Sequence, residues 1–381
     1  MLYFILCIMI YCSNLKSKMK EAISHKKGRI SKFLYYNIIL NFIITWQISY
    51  NTLLHFGSVI PTDVPGYISQ AKSLAVVTSP HQSYRIGIPI IANIIKNIID
   101  IIPGLNTLSA LTLKSDFSYH LSFYIVNLFL STTVFFLLYL ILQELNCNKY
   151  ISLILIYSLQ LSTTYQAMIS LANIDLIVIF FICIQIYISL KLTHLKHVFS
   201  LAFLVSLISI FFKEYIFLAV LPSIVILLKA KYKSILTKLS LLAFYLISIS
   251  SSIVLYRKIF DLITYPNSEY KYVDYVKGDL TYMLEKLITP SFNLNTFQNF
   301  IQFSPLLLLF ILMVSLLSKN FRSYAINKYI YSILPFFIFI ALSGVATYPI
   351  RVFFPCYIYL ILILPSSPLF EPNNNKLINL K

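Results

Sequence analysis

The sequence predicts an all-α polytopic membrane protein with about ten transmembrane helices. Three observations predict it. Mean hydropathy is +0.80 and hydrophobic residues make up 59%, while only 11% are charged. A water-soluble globule carries about a quarter charged residues. Apolar runs, most of them long enough to cross much of a bilayer, recur along the whole chain and are broken by short charged clusters. The positive charge is also unevenly spread, as membrane topology requires.

The apolar segments are 33–56, 119–142, 151–169, 174–190, 198–212, 214–228, 239–256, 303–317, 329–346 and 352–365. The region 198–228 carries Lys213–Glu214 at its middle and is read as two short spans. Tyr and Trp near several ends suit the membrane interface. Residues 1–12 are apolar but too short to span, and no basic segment precedes them, so they make a poor signal peptide. Met19 is an alternative start.

Lys16, Lys18, Lys20, Lys26, Lys27, Arg29 and Lys32 form a basic cluster. The positive-inside rule places this segment, 1–32, in the cytoplasm. Threading outward from it puts most Lys and Arg on the inner side and most acids on the outer side. The net charge of +17 is thereby a topology signal, and nucleic-acid binding falls away. The integral domain is 33–365, and 366–381 is a cytoplasmic tail. Localisation is expected to be a plasma or inner membrane, with the site on the periplasmic or extracellular side. The five cysteines have no metal-site or disulfide spacing. His55 and His81 are thin grounds for zinc. No cofactor is expected, and nothing in the sequence indicates a divalent metal.

Two long outer segments follow from the threading, 57–118 and 257–302. The first opens with PTDVPGYISQAKSL. Thr62 is placed to cap a helix that begins at Asp63, and Pro65 suits a first turn. Tyr67, four residues on, shares a face with Asp63, and Lys72 projects elsewhere. Taken alone, Asp63 could be only a cap. The block Ser83 to Gly104 reads as a second helix, with apolar residues at 88, 91, 95, 98 and 102 and polar ones at 93, 96, 97 and 100. That period predicts a helix lying in the outer interface. Arg85 precedes it, where a guanidinium can meet a phosphate or a carboxylate.

Further polar residues fall at the same face. Asp175, at the mouth of the fourth span, is expensive near a bilayer unless paired or hydrated. Asn173 is placed to cap its helix. Glu214 is expected at a helix N-terminus, where negative charge is favoured. Lys213 ends the preceding span. Arg351 lies between Pro349 and Pro355, and an arginine there can bind phosphate bidentately. Each of these residues alone is compatible with a cap, a turn marker or an interface anchor.

Together the set suits one reaction. A sugar on a lipid phosphate keeps its tail in the bilayer and presents its head to the outer face. An acceptor hydroxyl attacks the anomeric carbon while a carboxylate takes its proton. Cations stabilise the leaving phosphate as its charge develops. One-step displacement inverts the anomeric centre.

On Asp63 and Tyr67, the Tyr84–Arg85…Pro89 block, Asn173–Asp175, Lys213–Glu214 and Arg351, the chain resembles the GT-C type membrane glycosyltransferases. That group uses polyprenyl-phosphate-linked sugars and includes protein O-mannosyltransferases and lipid A aminoarabinose transferases. The resemblance spans about 33–365. It implies a GT-C-like fold with interface helices in the first outer loop. It also implies Asp63 as general base, Asp175 and Glu214 as further acids at the catalytic site, and Tyr67, Arg85, Lys213 and Arg351 as substrate-binding groups. Many relatives carry a second acid at the first-loop site, where this chain has Val64. The implied partners are a polyprenyl-phosphate-linked sugar, an unspecified lipid, glycan or protein acceptor, and membrane lipids.

Three other readings compete. A lipid-linked sugar flippase or transporter would use the same cations and should show broken helices or an internal repeat. A polysaccharide polymerase would use 257–302 to hold its acceptor. A non-catalytic scaffold would account for the hydrophobic bulk but not for the gathered outer charges.

Overall fold

The computed structural model describes residues 27–55, 63–73, 85–102, 104, 116–191, 200, 203–208, 210–212, 234–264, 305–317 and 354–364. They are mostly helical, with no strand among them. The helices are α1 (Lys27–His55), α2 (Asp63–Ser73), α3 (Gly87–Ile99), α4 (Phe117–Glu144) and α5 (Lys149–Gln160). They continue with α6 (Thr163–Ser170), α7 (Asp175–Lys191), α8 (Ile235–Thr264), α9 (Leu306–Leu317) and α10 (Cys356–Ile363). A short helical turn occupies 203–208. The expected spans 214–228 and 329–346 lie outside the described residues.

The chain divides into two units, Met1–Ile44 and Thr45–Lys381, with the boundary inside α1. The described part of the first unit is the N-terminal half of α1. Tyr35, Tyr36, Ile39, Leu40 and Ile43 are exposed on it. Asn37 satisfies its own amide by donating Nδ2 to Phe33 O at 2.7 Å.

In the second unit α4 is the central element. It packs against α7 and α3 most extensively, and also against α2, α5 and α6. Its core contacts come from Phe123, Val134, Phe135, Leu138, Ile141 and Leu142, all buried. Among the described residues α4 is the one helix long and apolar enough to cross a membrane. At 28 residues it measures about 42 Å, against a hydrocarbon core of about 30 Å. The pair α6 and α7 meets the same length and composition test together, bent by 111° at the break. Large apolar side chains are exposed along α3, α8 and α9, including Ile94, Ile98, Phe244, Leu262, Phe310 and Met313. Exposed apolar surface on this scale is unfavourable in water and ordinary against lipid.

One expected span is not a single helix. The segment 151–169 breaks after Gln160 into α5 and α6. The 12 residues of α5 measure about 18 Å, too short to cross a bilayer alone. The break has a polar cause. Gln160 Nε2 donates to Ser131 O at 3.1 Å and to Tyr165 Oη at 3.2 Å. Ser162 then caps α6, its Oγ accepting from the Tyr165 N–H. Gln166 Nε2 returns to Gln160 O at 2.6 Å.

The exposure of α3, the helix expected to lie in the interface, also differs from its sequence pattern. Ile88, Pro89, Ala92 and Ile99 of α3 are buried, while Ile91, Ile94 and Ile98 face outward with Ile101 and Ile102 beyond the helix end. Ile91 and Ile98 belong to the apolar stripe of the sequence, yet they are exposed. α3 is apolar on both sides, and it buries a narrow face of small and branched residues against α4.

Candidate functional site

Helix α2 begins at Asp63, with Pro65 in its first turn. Val64, Tyr67, Ile68 and Ala71 are buried at helical spacing, so this face enters the protein. Tyr67 is 1% exposed, and its hydroxyl accepts a hydrogen bond from Arg85 Nη1 at 3.2 Å. Arg85 sits two residues before α3, whose first residue, Gly87, donates its N–H to Phe211 O at 2.8 Å. The pairing therefore ties α2 to the start of α3. A phenol that accepts from a guanidinium keeps its own O–H to donate, and the guanidinium carries five N–H donors in all.

Lys72 lies on the other side of α2, as expected from its position. Its Nζ is 2.7 Å from Asp116 Oδ2 and 5.7 Å from the centroid of Tyr119. Lys96 approaches the same ring at 5.2 Å and pairs with Asp100 one turn on. The hydrogen bond to Asp100 is the main reason the Lys96 ammonium titrates above the ordinary lysine range. Asp116 adopts the left-handed region at φ 66, and its side chain makes no capping bond to α4. These pairs clasp the ends of α2, α3 and α4. Being partly exposed, each is worth at most about 1 kcal/mol.

Asp175 opens α7 and is 4% exposed. Its N–H donates to Asn173 Oδ1 at 3.3 Å, the local cap expected of Asn173. The loop before it is held from α4. Asn127, fully buried, donates Nδ2 to Leu171 O at 3.1 Å and to Asn173 O at 3.4 Å. Both are carbonyls of the α6–α7 break, and such groups need partners when buried. Asn127 also belongs to a polar seam on α4. His120, Tyr124, Asn127 and Ser131 recur at helical spacing and are all buried. The seam runs about 16 Å along the helix. Tyr124 Oη donates to Trp46 O at 3.0 Å and lies 3.1 Å from Ser49 Oγ. Ser170 Oγ in turn donates to Ser49 O at 2.8 Å.

The expected site residues are thus placed unequally. Tyr67 and Arg85 are joined directly. Asp175 is buried at the α7 start. Asp63 is placed by its backbone as the first residue of α2, and its side chain lies outside what is described. Lys213, Glu214 and Arg351 lie outside the described residues. Their described neighbours are informative. Phe212, which precedes Lys213, packs its ring 5.5 Å from Phe181 of α7. An added Cβ on Gly87 would lie 2.5 Å from the same ring. Phe354, three residues after Arg351, sits 5.9 Å from the ring of Tyr165.

Sequence reasoning missed Asn127 and the α4 seam, although the signal is present. A histidine, a tyrosine, an asparagine and a serine at helical spacing inside an apolar run mark a polar face. No protein-family model, curated protein or solved structure matches the chain. The fold and site thus define a mostly helical protein with at least one helix fit to cross a membrane.

Proposed function

We propose that this chain is a multi-pass membrane glycosyltransferase of GT-C type. It moves a sugar from a polyprenyl-phosphate donor to an acceptor hydroxyl at the outer membrane face, with inversion. The observation that carries the reading is the Arg85–Tyr67 hydrogen bond at 3.2 Å. Two residues expected at the site from separate motifs are in contact, and one of them, Tyr67, is on the helix that Asp63 begins. The buried Asp175 and the seating of Phe212 on Gly87, next to Arg85, add support.

In this reading Asp63 takes the proton of the attacking hydroxyl. The new bond forms at the anomeric carbon as its bond to the phosphate oxygen breaks. The phosphate leaves on its lipid, and Arg351, Lys213 and Arg85 stabilise its charge. Tyr67 orients Arg85 and offers its hydroxyl to the sugar. Asp175 and Glu214 hold sugar hydroxyls or these cations. Transfer of labelled sugar from a polyprenyl-phosphate donor by the purified full chain tests the reading. Asp63→Asn should lower the rate by about 10²-fold or more, the usual contribution of a general base. Full activity in that variant removes Asp63 from the role.

The bend of 111° between α6 and α7 favours a second reading, a lipid-linked sugar flippase. Broken helices with polar groups at the break are a transporter device. Donor that is bound and crosses the bilayer without being consumed would select this alternative.

A further inference from the structure

Three polar oxygens inside the second unit make no hydrogen bond to a described residue: Thr45 Oγ1 on α1, Asn127 Oδ1 on α4 and Gln166 Oε1 on α6. All three residues are buried. The two amides are fixed in the direction they face. Asn127 Nδ2 donates to Leu171 O and Asn173 O, and Gln166 Nε2 donates to Gln160 O. Turning either amide over would set its oxygen against a carbonyl oxygen. Each therefore presents an acceptor, not a donor, away from those carbonyls.

The bonds around them bring the three groups to one crossing of helices. Asn127 holds the C-terminal end of α6, and Ser131 O accepts from Gln160, just before α6. The helix α6 thus runs opposite to α4, and Gln166 falls beside the stretch of about 6 Å between Asn127 and Ser131. On α1, Ser49 Oγ lies 3.1 Å from Tyr124 Oη, in the turn of α4 before Asn127. Ser170 Oγ joins α1 to α6, lying 2.8 Å from Ser49 O and 2.7 Å from Gln166 O. Thr45 is one turn before Ser49, and Gln166 one turn before Ser170.

We infer that one water molecule is bound at this crossing, donating to Asn127 Oδ1 and Gln166 Oε1 and accepting from the Thr45 hydroxyl. The count of hydrogens matches: two acceptors and one hydroxyl donor are what a single water satisfies. Buried waters typically make about three such bonds to groups that have no other partner. Leaving the two amide oxygens without a donor would carry a desolvation penalty for each. A metal ion would also meet oxygens here, but Thr45, Asn127 and Gln166 carry no charge to offset it, and an uncompensated ion is costly in a buried site. The water fastens α1 to α4 and α6 beside the break that Asn127 closes. The inference does not depend on sugar transfer.

A structure of the full chain in lipid nanodiscs, at a resolution that shows ordered waters, tests it. One density peak should lie about 2.5–3.0 Å from each of the three oxygens. No peak, or a direct bond between two of these side chains, would overturn the assignment. A peak that disappears when sodium and potassium are replaced by choline would be a metal ion and would overturn it too. A second measurement compares Thr45→Val, Gln166→Met and the double variant by unfolding in denaturing detergent. No hydrogen bond joins these two side chains directly, so coupling between them reports the shared water. The double variant should change the unfolding constant by at least about twofold less than the product of the single changes. Thr45→Ser, which keeps the hydroxyl, should stay close to wild type. Strictly multiplicative effects would overturn the bridge.

Discussion

Arg85 Nη1 donates to Tyr67 Oη across 3.2 Å, with the tyrosine buried and the arginine half-buried. The bond links α2 to the start of α3. A hydrogen bond to a charged group contributes about 1.5–3 kcal/mol. Tyr67→Phe keeps the packing of the ring and deletes only the hydroxyl. Under the proposed function it should lower kcat/KM about tenfold or more, and losing the bond should lower the melting temperature as well. Arg85→Lys should lose more, because an ammonium lacks the planar fork. A double-mutant cycle between the two positions should give a coupling of about 0.5–3 kcal/mol. Strict additivity would show that the contact does not matter to function.

Asn127 lies at 0% exposure inside an apolar helix and holds two carbonyls at the α6–α7 break. Asn127→Leu is near in volume but leaves Leu171 O and Asn173 O without this donor. A buried polar group stripped of its partner costs about 1–3 kcal/mol. The variant should therefore unfold more readily in detergent by that amount. It should also lower activity, because the loop it releases carries Asp175. Asn127→Ser, which keeps a donor, should recover part of both losses. An unchanged denaturation midpoint in Asn127→Leu would argue that the loop holds itself.

The helix beginning at Asp63, the cap by Asn173 and the position of Arg85 before α3 were legible because each depends on a few neighbouring residues. So was the divergence of Lys72 from Tyr67, which follows from helical geometry. The break after Gln160 was legible only in part. Gln160, Ser162, Thr163 and Thr164 interrupt the apolar run there, but Gln160 also bonds to Ser131, 29 residues away, and that partner is hidden. The Lys72–Asp116 pair is hidden for the same reason. The α4 seam is different: its spacing is visible in the sequence, but hydropathy averaged over the span submerges four polar residues in a run of Phe, Leu and Ile. The outward isoleucines of α3 show a further limit. A helix apolar on two sides does not declare which side the protein covers.

Cys147, between α4 and α5, is a free thiol and buried. Burial pushes its pKa above the ordinary value of 9.0, with a hydrogen bond to Ser152 pulling weakly the other way. The unfolded chain therefore ionises this thiol before the folded protein does. Its contribution to stability is fully present below about pH 9 and is lost as pH rises toward the folded pKa. In a Cys147→Ser comparison, the wild type should show the steeper loss of stability above that pH. Maleimide should label Cys147 slowly in the native protein and quickly in denaturant. Rapid native labelling would mean that the α4–α5 turn opens.

Gly87 starts α3 where the ring of Phe212 leaves no room for a side chain. A Cβ there would lie 2.5 Å from Phe212 Cδ1 and Cε1, well inside contact distance. The ring is also in contact with Phe181, their centroids 5.5 Å apart, which restricts its retreat. The adjacent backbone is also pinned, by the bond from Gly87 N–H to Phe211 O. Gly87→Ala should therefore cost about 1–3 kcal/mol by overpacking. In an open helix start the same change would stabilise slightly through helix propensity. Phe212→Ala removes the obstacle and opens a small cavity of its own. The double variant should thus be more stable than the sum of the two single losses predicts, since residues in contact are not additive. Under the proposed function Gly87→Ala should also reduce transfer, because the displaced elements carry Arg85 on one side and lead into Lys213 on the other. Thermal unfolding of the four proteins checks the coupling, and a Gly87→Ala variant as stable as wild type would mean that Phe212 does not rest on this glycine.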